Sequence, residues 1–226
     1  MAYTLITNFI EPLAYLIFSI AFFFETRVDK AIKIKVLLVH YSVCTILMAF
    51  ATWKAFSEQD NRWIYNLVGL QSAVLICYYF LQTFKDERRK KAIRYLIIAN
   101  VVYFVMNNLV FRRFFLFDSI GYALLSASVS IIAFMYFYDV LKNSTERRLW
   151  NDFDFWLVSG YLFYFLVSFA IFLTYHYLTN KILDTFTDEE RNLLTVLWGV
   201  QNVLLFLSAI TTLSGSLWTT FRNRLY

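Results

Sequence analysis

The chain has 226 residues, of which 60% are hydrophobic, 21% aromatic and only 16% charged. A water-soluble domain carries about a quarter of its residues as charges, so this composition excludes an ordinary soluble fold. The net charge of +5 sits in short basic clusters beside apolar runs, which points to a membrane surface and away from nucleic acid as a partner.

The apolar runs are continuous and about 20 residues long, the length a helix needs to cross the hydrocarbon core. They lack the two-residue alternation of an outer-membrane barrel. Seven are read as spans: Tyr3–Phe24, Val36–Trp53, Trp63–Phe84, Tyr95–Phe111, Ser119–Leu141, Phe155–Leu178 and Leu193–Trp218. The expectation is an all-α integral membrane bundle of seven transmembrane helices, one domain over residues 1–226, with no Gly-, Pro- or Ser-rich linker.

The first run lacks a basic n-region and a small-residue cleavage site before Glu25, so it is helix one and not a cleaved signal peptide. It carries Glu11, an ionisable group at a depth where charge is costly and therefore a functional candidate. Thr4, Asn8, Tyr15 and Ser19 share its face at helical spacing. Pro12 predicts a kink or a restart of that helix. In helix two, His40 and Cys44 are one turn apart and His40 is read as an interhelical hydrogen-bonder, not a metal ligand. Cys44 and Cys77 both fall inside spans, where no disulfide is expected.

Asn61 is the expected cap of helix three, which holds Asn66 and Gln71. The connection after it contains Arg88, Arg89, Lys90 and Lys91, candidates for docking anionic lipid headgroups or a partner. Helix four ends near Asn107 and Asn108. Asp118 is the expected cap of helix five, and Asp139 at its far end is expected to reach water or a basic loop. His176 is read as an interface residue of helix six. Thr187 and Glu190 have the spacing of a capping box that starts helix seven, where Gln201 and Asn202 lie.

Fifteen Lys and Arg fall on the side of connections one–two, three–four and five–six and of the last residues, against six on the other side. Positive charge stays in the cytoplasm, so the amino terminus is placed outside and the carboxy terminus inside. Trp53 and Trp63 at outer ends, with Trp150, Trp156 and Trp218 at inner ends, fit aromatic belts.

Helix three contains Gly69-Leu70-Gln71-Ser72-Ala73-Val74-Leu75 and helix seven Gly199-Val200-Gln201-Asn202-Val203-Leu204-Leu205 at similar depth. Helices one to three and five to seven then form a parallel repeat, with helix four restoring the direction of the chain. This three-plus-one-plus-three plan is similar to that of opsins, small sugar carriers and seven-helix receptors, a likeness of architecture that does not fix function.

Asn8, Glu11, Tyr15, Asn66, Gln71, Asn107, Asn108, Gln201 and Asn202 lie in the outer halves of four helices. One reading is a ligand pocket open to the outside. The competing reading is interhelical bonding that holds the bundle together, at about 1 kcal/mol per bond.

Helix seven has no Lys between Leu193 and Trp218, so a retinal Schiff base has no attachment point. There is no HExxH, no GxSxG and no pair of intramembrane carboxylates. The chain is therefore read as no enzyme, with no cofactor and no metal.

The stretches Asn61-Arg62-Trp63-Ile64-Tyr65-Asn66 and Asp154-Phe155-Trp156-Leu157-Val158-Ser159-Gly160-Tyr161-Leu162-Phe163-Tyr164 resemble a family of short seven-helix membrane proteins of the Bacteroidota, often encoded near sensor histidine kinases. The resemblance covers nearly the whole chain, including Phe221-Arg222-Asn223-Arg224, on aromatic-rich motifs. It implies a multi-pass protein of the bacterial inner (plasma) membrane, accessory to signalling, and carries over no site residue. Three functions follow as expectations. The first is a receptor-like or accessory sensor component that binds a ligand or membrane partner and acts through a partner protein or homo-oligomer. The second is a small transporter or channel using the polar cluster, and the third a structural subunit of a larger membrane complex.

Overall fold

In a computed structural model the described residues are 2–28, 31–110, 117–143, 149–179 and 187–225; the side chains of 2–8, 28, 109–110, 143 and 223–225 are not described. Seven α-helices follow in order: α1 Ala2–Val28, α2 Ile32–Phe56, α3 Arg62–Thr83, α4 Glu87–Val105, α5 Ser119–Asn143, α6 Phe153–Thr179 and α7 Asp188–Leu225. The helix α4 runs into a π-helical turn, Met106–Val110, and a 3₁₀ turn, Leu149–Asn151, precedes α6. No strand occurs among the described residues.

Six of these helices are long and apolar enough to cross a membrane: α1, α2, α3, α5, α6 and α7. The chain is thus compatible with a multi-pass membrane protein. Of the seven expected spans, α4 is the one that falls short, and the reason is local. Its first eight residues hold Glu87, Arg88, Arg89, Lys90, Lys91 and Arg94, so the α-helical part alone is not apolar enough; with the π-helical turn that continues it, the apolar stretch runs over residues 95–110. Large apolar side chains such as Val39, Ile46, Phe134 and Phe163 stay more than half exposed on the outward helix faces, costly in water and free of cost in hydrocarbon.

The helices pack as a ring. α1 lies between α2 and α7, α6 joins α7 to α5, and α2 leads to α3, which closes on α5; α4 lies along α3 and α5. Gly160 brings α6 close to α7, since a Cβ there would meet Ser208 Oγ at 2.8 Å and its carbonyl oxygen at 3.0 Å. Gly69 likewise admits the rings of Phe104 at 2.9 Å and Tyr122 at 3.1 Å.

Local expectations fare unevenly. Asp118 caps α5 by accepting from the Gly121 amide at 2.8 Å. The Thr187–Glu190 box forms in both directions, at 3.1 and 3.2 Å. Asn61 stands at the start of α3 without a side-chain cap bond; its amide instead reaches back to the Ala51 carbonyl of α2 at 3.0 Å. Pro12 lies within α1, which continues through it, so the expected restart is not seen. Below, the end of the bundle at which α1 begins is called outer, as the charge distribution has it.

Candidate functional site

The bundle encloses a cavity to which six helices contribute. Tyr15 and Phe18 come from α1, His40 and Tyr41 from α2, and Ser72 from α3. Tyr122 and Ser126 come from α5, Tyr161, Tyr164, Phe165 and Phe172 from α6, and Leu205 from α7. About 20 Å³ of the space among these side chains is open to the centre of a water molecule. That is room for about one water-sized group, against the 10–15 Å³ a single water requires.

Neighbours hold most of the polar wall in place. Tyr41 is stacked between Phe18 and Phe22, with ring centroids 4.3 and 5.4 Å away. Its hydroxyl is 2.6 Å from that of Tyr161. The Gln71 amide nitrogen lies 2.8 Å from His40 Nδ1 and donates to the His40 carbonyl at 3.2 Å. With that amide orientation Nδ1 is an acceptor and the imidazole carries its proton on Nε2. Ser168 donates to Gln201 Oε1 at 2.8 Å, and Gln201 Nε2 donates to the Tyr164 hydroxyl at 2.5 Å. Two groups of the wall have no hydrogen-bond partner among the described residues: the buried Ser126 Oγ and the Tyr15 hydroxyl.

The polar residues singled out in the sequence do not meet in one pocket. Tyr15 lines the cavity, with Gln71 and Gln201 directly behind its wall. Glu11 is buried on α1 and accepts from the Tyr65 hydroxyl at 3.2 Å. A separate set joins α3 to the turn after α4 and to the start of α5. There Asn66 donates to Asn108 at 3.2 Å and accepts from the Asp118 amide at 3.1 Å, while Tyr103 donates to Asp118 at 3.2 Å. Asn107 is half-buried and outside that set. Asn202 is buried in the bundle. The Asn8 side chain lies outside the described residues, as do Arg112 and Arg113.

Two clusters flank the cavity wall with side chains that the sequence did not single out. On the outer side Phe117 lies edge-on to Tyr65, Tyr175 and Trp198, at centroid distances of 6.1, 5.4 and 5.4 Å. Tyr122 ties this cluster to the wall by donating to the Tyr65 carbonyl at 2.6 Å. On the inner side, beyond the Tyr41–Tyr161 pair, Lys33 on α2 meets Asp154 on α6 at 2.5 Å and Tyr79 on α3 donates to the same carboxylate. Lys33 also lies over the Tyr79 ring, 5.2 Å from its centroid. The available signal was two opposite charges, each in the first turn of a helix entering from the same side.

Of the basic candidates, Arg89 is engaged within the bundle: it pairs with Asp139 of α5 and donates to the Met135 carbonyl at 3.2 Å. That is the basic partner expected for Asp139. Lys90 pairs with Glu87 at 2.9 Å, which holds the Glu87 carboxyl below its ordinary range. Arg88 and Lys91 stay exposed. In the α2–α3 connection, hydrogen bonds from Arg62 lower the Asp60 carboxyl to about 2.

Set beside known proteins, the chain matches no family model, no curated protein and no solved structure.

Proposed function

We propose that the protein is a multi-pass membrane protein, with seven spans and an outside amino terminus, that binds a small molecule between its helices. In this reading it serves as a receptor-like or accessory sensor component. Its inter-helix connections are too short to signal alone, so a partner protein carries the output. The observation behind the reading is the enclosed cavity itself, walled by six helices, with Ser126 and Tyr15 hydroxyls that have no partner among the described residues. A buried polar group without a bond costs about 1–3 kcal/mol, which an occupant that bonds it returns. Because every helix but α4 contributes to the wall, occupancy is felt across the bundle. Arg88 and Lys91 then face anionic lipid at the inner surface of a bacterial plasma membrane.

The test is extraction of the purified, undelipidated protein followed by mass spectrometry, comparing the wild type with Ser126→Phe, which fills the cavity. A small molecule released from the wild type and missing from a folded Ser126→Phe protein is the expected result. No released molecule, together with identical thermal unfolding of the two proteins, overturns the reading.

A carrier is the second reading, favoured by one observation. The inner cluster consists of breakable bonds, Lys33–Asp154–Tyr79 and Tyr41–Tyr161. In a carrier those bonds exchange with the outer cluster. Asp154→Asn then changes the rate of uptake into proteoliposomes, whereas in a sensor it changes partner output with no flux.

A further inference from the structure

Taking the cavity as the ligand site, we propose that its occupant is a small ammonium-type cation held by the aromatic walls, with the Glu11 carboxylate, one helical turn beyond the wall residue Tyr15, as its countercharge. The walls are the first reason. Tyr15, Tyr122, Tyr164, Phe165 and Phe172 line the cavity, and no Lys, Arg, Asp or Glu does. Aromatic rings attract cations through their quadrupole, and the attraction grows when water is excluded.

Glu11 is the second reason. It sits one helical turn, about 6 Å, above Tyr15 and on the same face of α1. It is buried and accepts a bond from Tyr65, and among the described residues it has no ion pair. An uncompensated carboxylate in an apolar bundle requires a proton or a positive partner. One residue touches both Glu11 and the wall: the Tyr65 hydroxyl donates to Glu11, and its carbonyl accepts from the wall residue Tyr122.

Size and valence give the third reason. The open space of about 20 Å³ suits one ammonium head and excludes a bulky one. The free oxygens of Ser126 and Tyr15 accept N–H donors of such a head, while Glu11 repels an anion. An alkali ion requires a cage of several oxygens at fixed distances, which two hydroxyls do not form.

The experiment is a titration of purified protein in lipid nanodiscs, read by tyrosine fluorescence and thermal unfolding. The probes are ethylammonium chloride, its neutral counterpart ethanol, sodium acetate and potassium chloride at equal ionic strength. Saturable stabilisation by ethylammonium alone is expected, with affinity lowered at least tenfold in Glu11→Gln and partly restored in Glu11→Asp. If Glu11→Gln does not assemble, Tyr15→Leu carries the test through a several-fold loss. Equal responses to ethanol and ethylammonium, or an unchanged Glu11→Gln protein, overturn the cation while leaving the cavity as a site. An equal response to potassium overturns the ammonium assignment in particular. Silence toward all four probes overturns the cation too, and the Ser126→Phe extraction above then decides whether the cavity reading falls with it.

Discussion

The two ends of the bundle satisfy their buried polar groups in different ways. At the inner end two acids meet bases: Asp154 has Lys33 and Asp139 has Arg89, while Glu25 accepts from the Thr219 hydroxyl at 3.2 Å. At the outer end the acids meet neutral donors. Glu11 has the Tyr65 hydroxyl, and Asp118 has the Tyr103 hydroxyl and the Gly121 amide, while Asn66 and Asn108 complete the set. The difference follows from charge allocation. Lys and Arg gather on one side, so Asp154 and Asp139 on that side find cations, whereas the buried Glu11 and Asp118 on the other are met by neutral donors. The inner end is therefore clamped in part by Coulomb attraction, and the outer end keeps buried carboxylates held by neutral donors.

The sharpest way to break this comparison is Asp154→Ala. It strands the Lys33 ammonium and the Tyr79 hydroxyl, which are largely buried, and removing one partner of a buried pair costs about 3 kcal/mol. Thermal unfolding in detergent should show the largest loss among these variants. A loss within error means that the inner clamp is solvated and contributes little.

Asn66→Leu tests the outer network. It leaves the Asn108 oxygen and the Asp118 amide without their partner, at a cost of about 1–2 kcal/mol. A larger loss than for Asp154→Ala inverts the comparison. Arg89→Gln should cost about 1 kcal/mol, because Asp139 is partly exposed and water replaces the lost partner. Flotation with anionic vesicles sharpens this: Arg88→Gln with Lys91→Gln should weaken binding more than Arg89→Gln, whose charge is spent inside the bundle.

The smallest effect belongs to Asp60, paired in the exposed connection to Arg62. Its carboxyl is lowered in the folded chain to about 2, so its contribution is present above the unfolded value near 4 and fades as pH falls toward 2. Screening limits it to a few tenths of a kcal/mol. Asp60→Asn should flatten the unfolding-against-pH curve only in that acid window. A difference between the two proteins at neutral pH larger than 1 kcal/mol contradicts a surface pair.

Much of the framework was legible in the residue order. Apolar runs of membrane length, the Asp118 cap and the Thr187–Glu190 box depend on neighbours within one turn. These local relations survive whatever the helices later pack against. Asn61 shows the limit of such reasoning, since a carbonyl of α2 ten residues away competed successfully for its amide. The shortfall of α4 was also present in the sequence, in the charges of residues 87–94. It was masked there by the apolar stretch that follows.

The candidate site was less legible. Glu11 and the amides stood out because polar groups in apolar runs are rare. Residue order alone did not say that they divide among three separate networks. Sixteen tyrosines offer no such contrast, since each one suits a wall, a belt or a lipid-facing surface. Which face of a helix turns inward is set by rotation about its axis, and rotation is decided when six helices pack together. Only the tertiary structure therefore brings Tyr41 to Tyr161 and Lys33 to Asp154, each about 120 positions apart in the chain. Helix length and capping are short-range and were determined by sequence; the cavity and its flanking clusters are differences among packings and had to be seen.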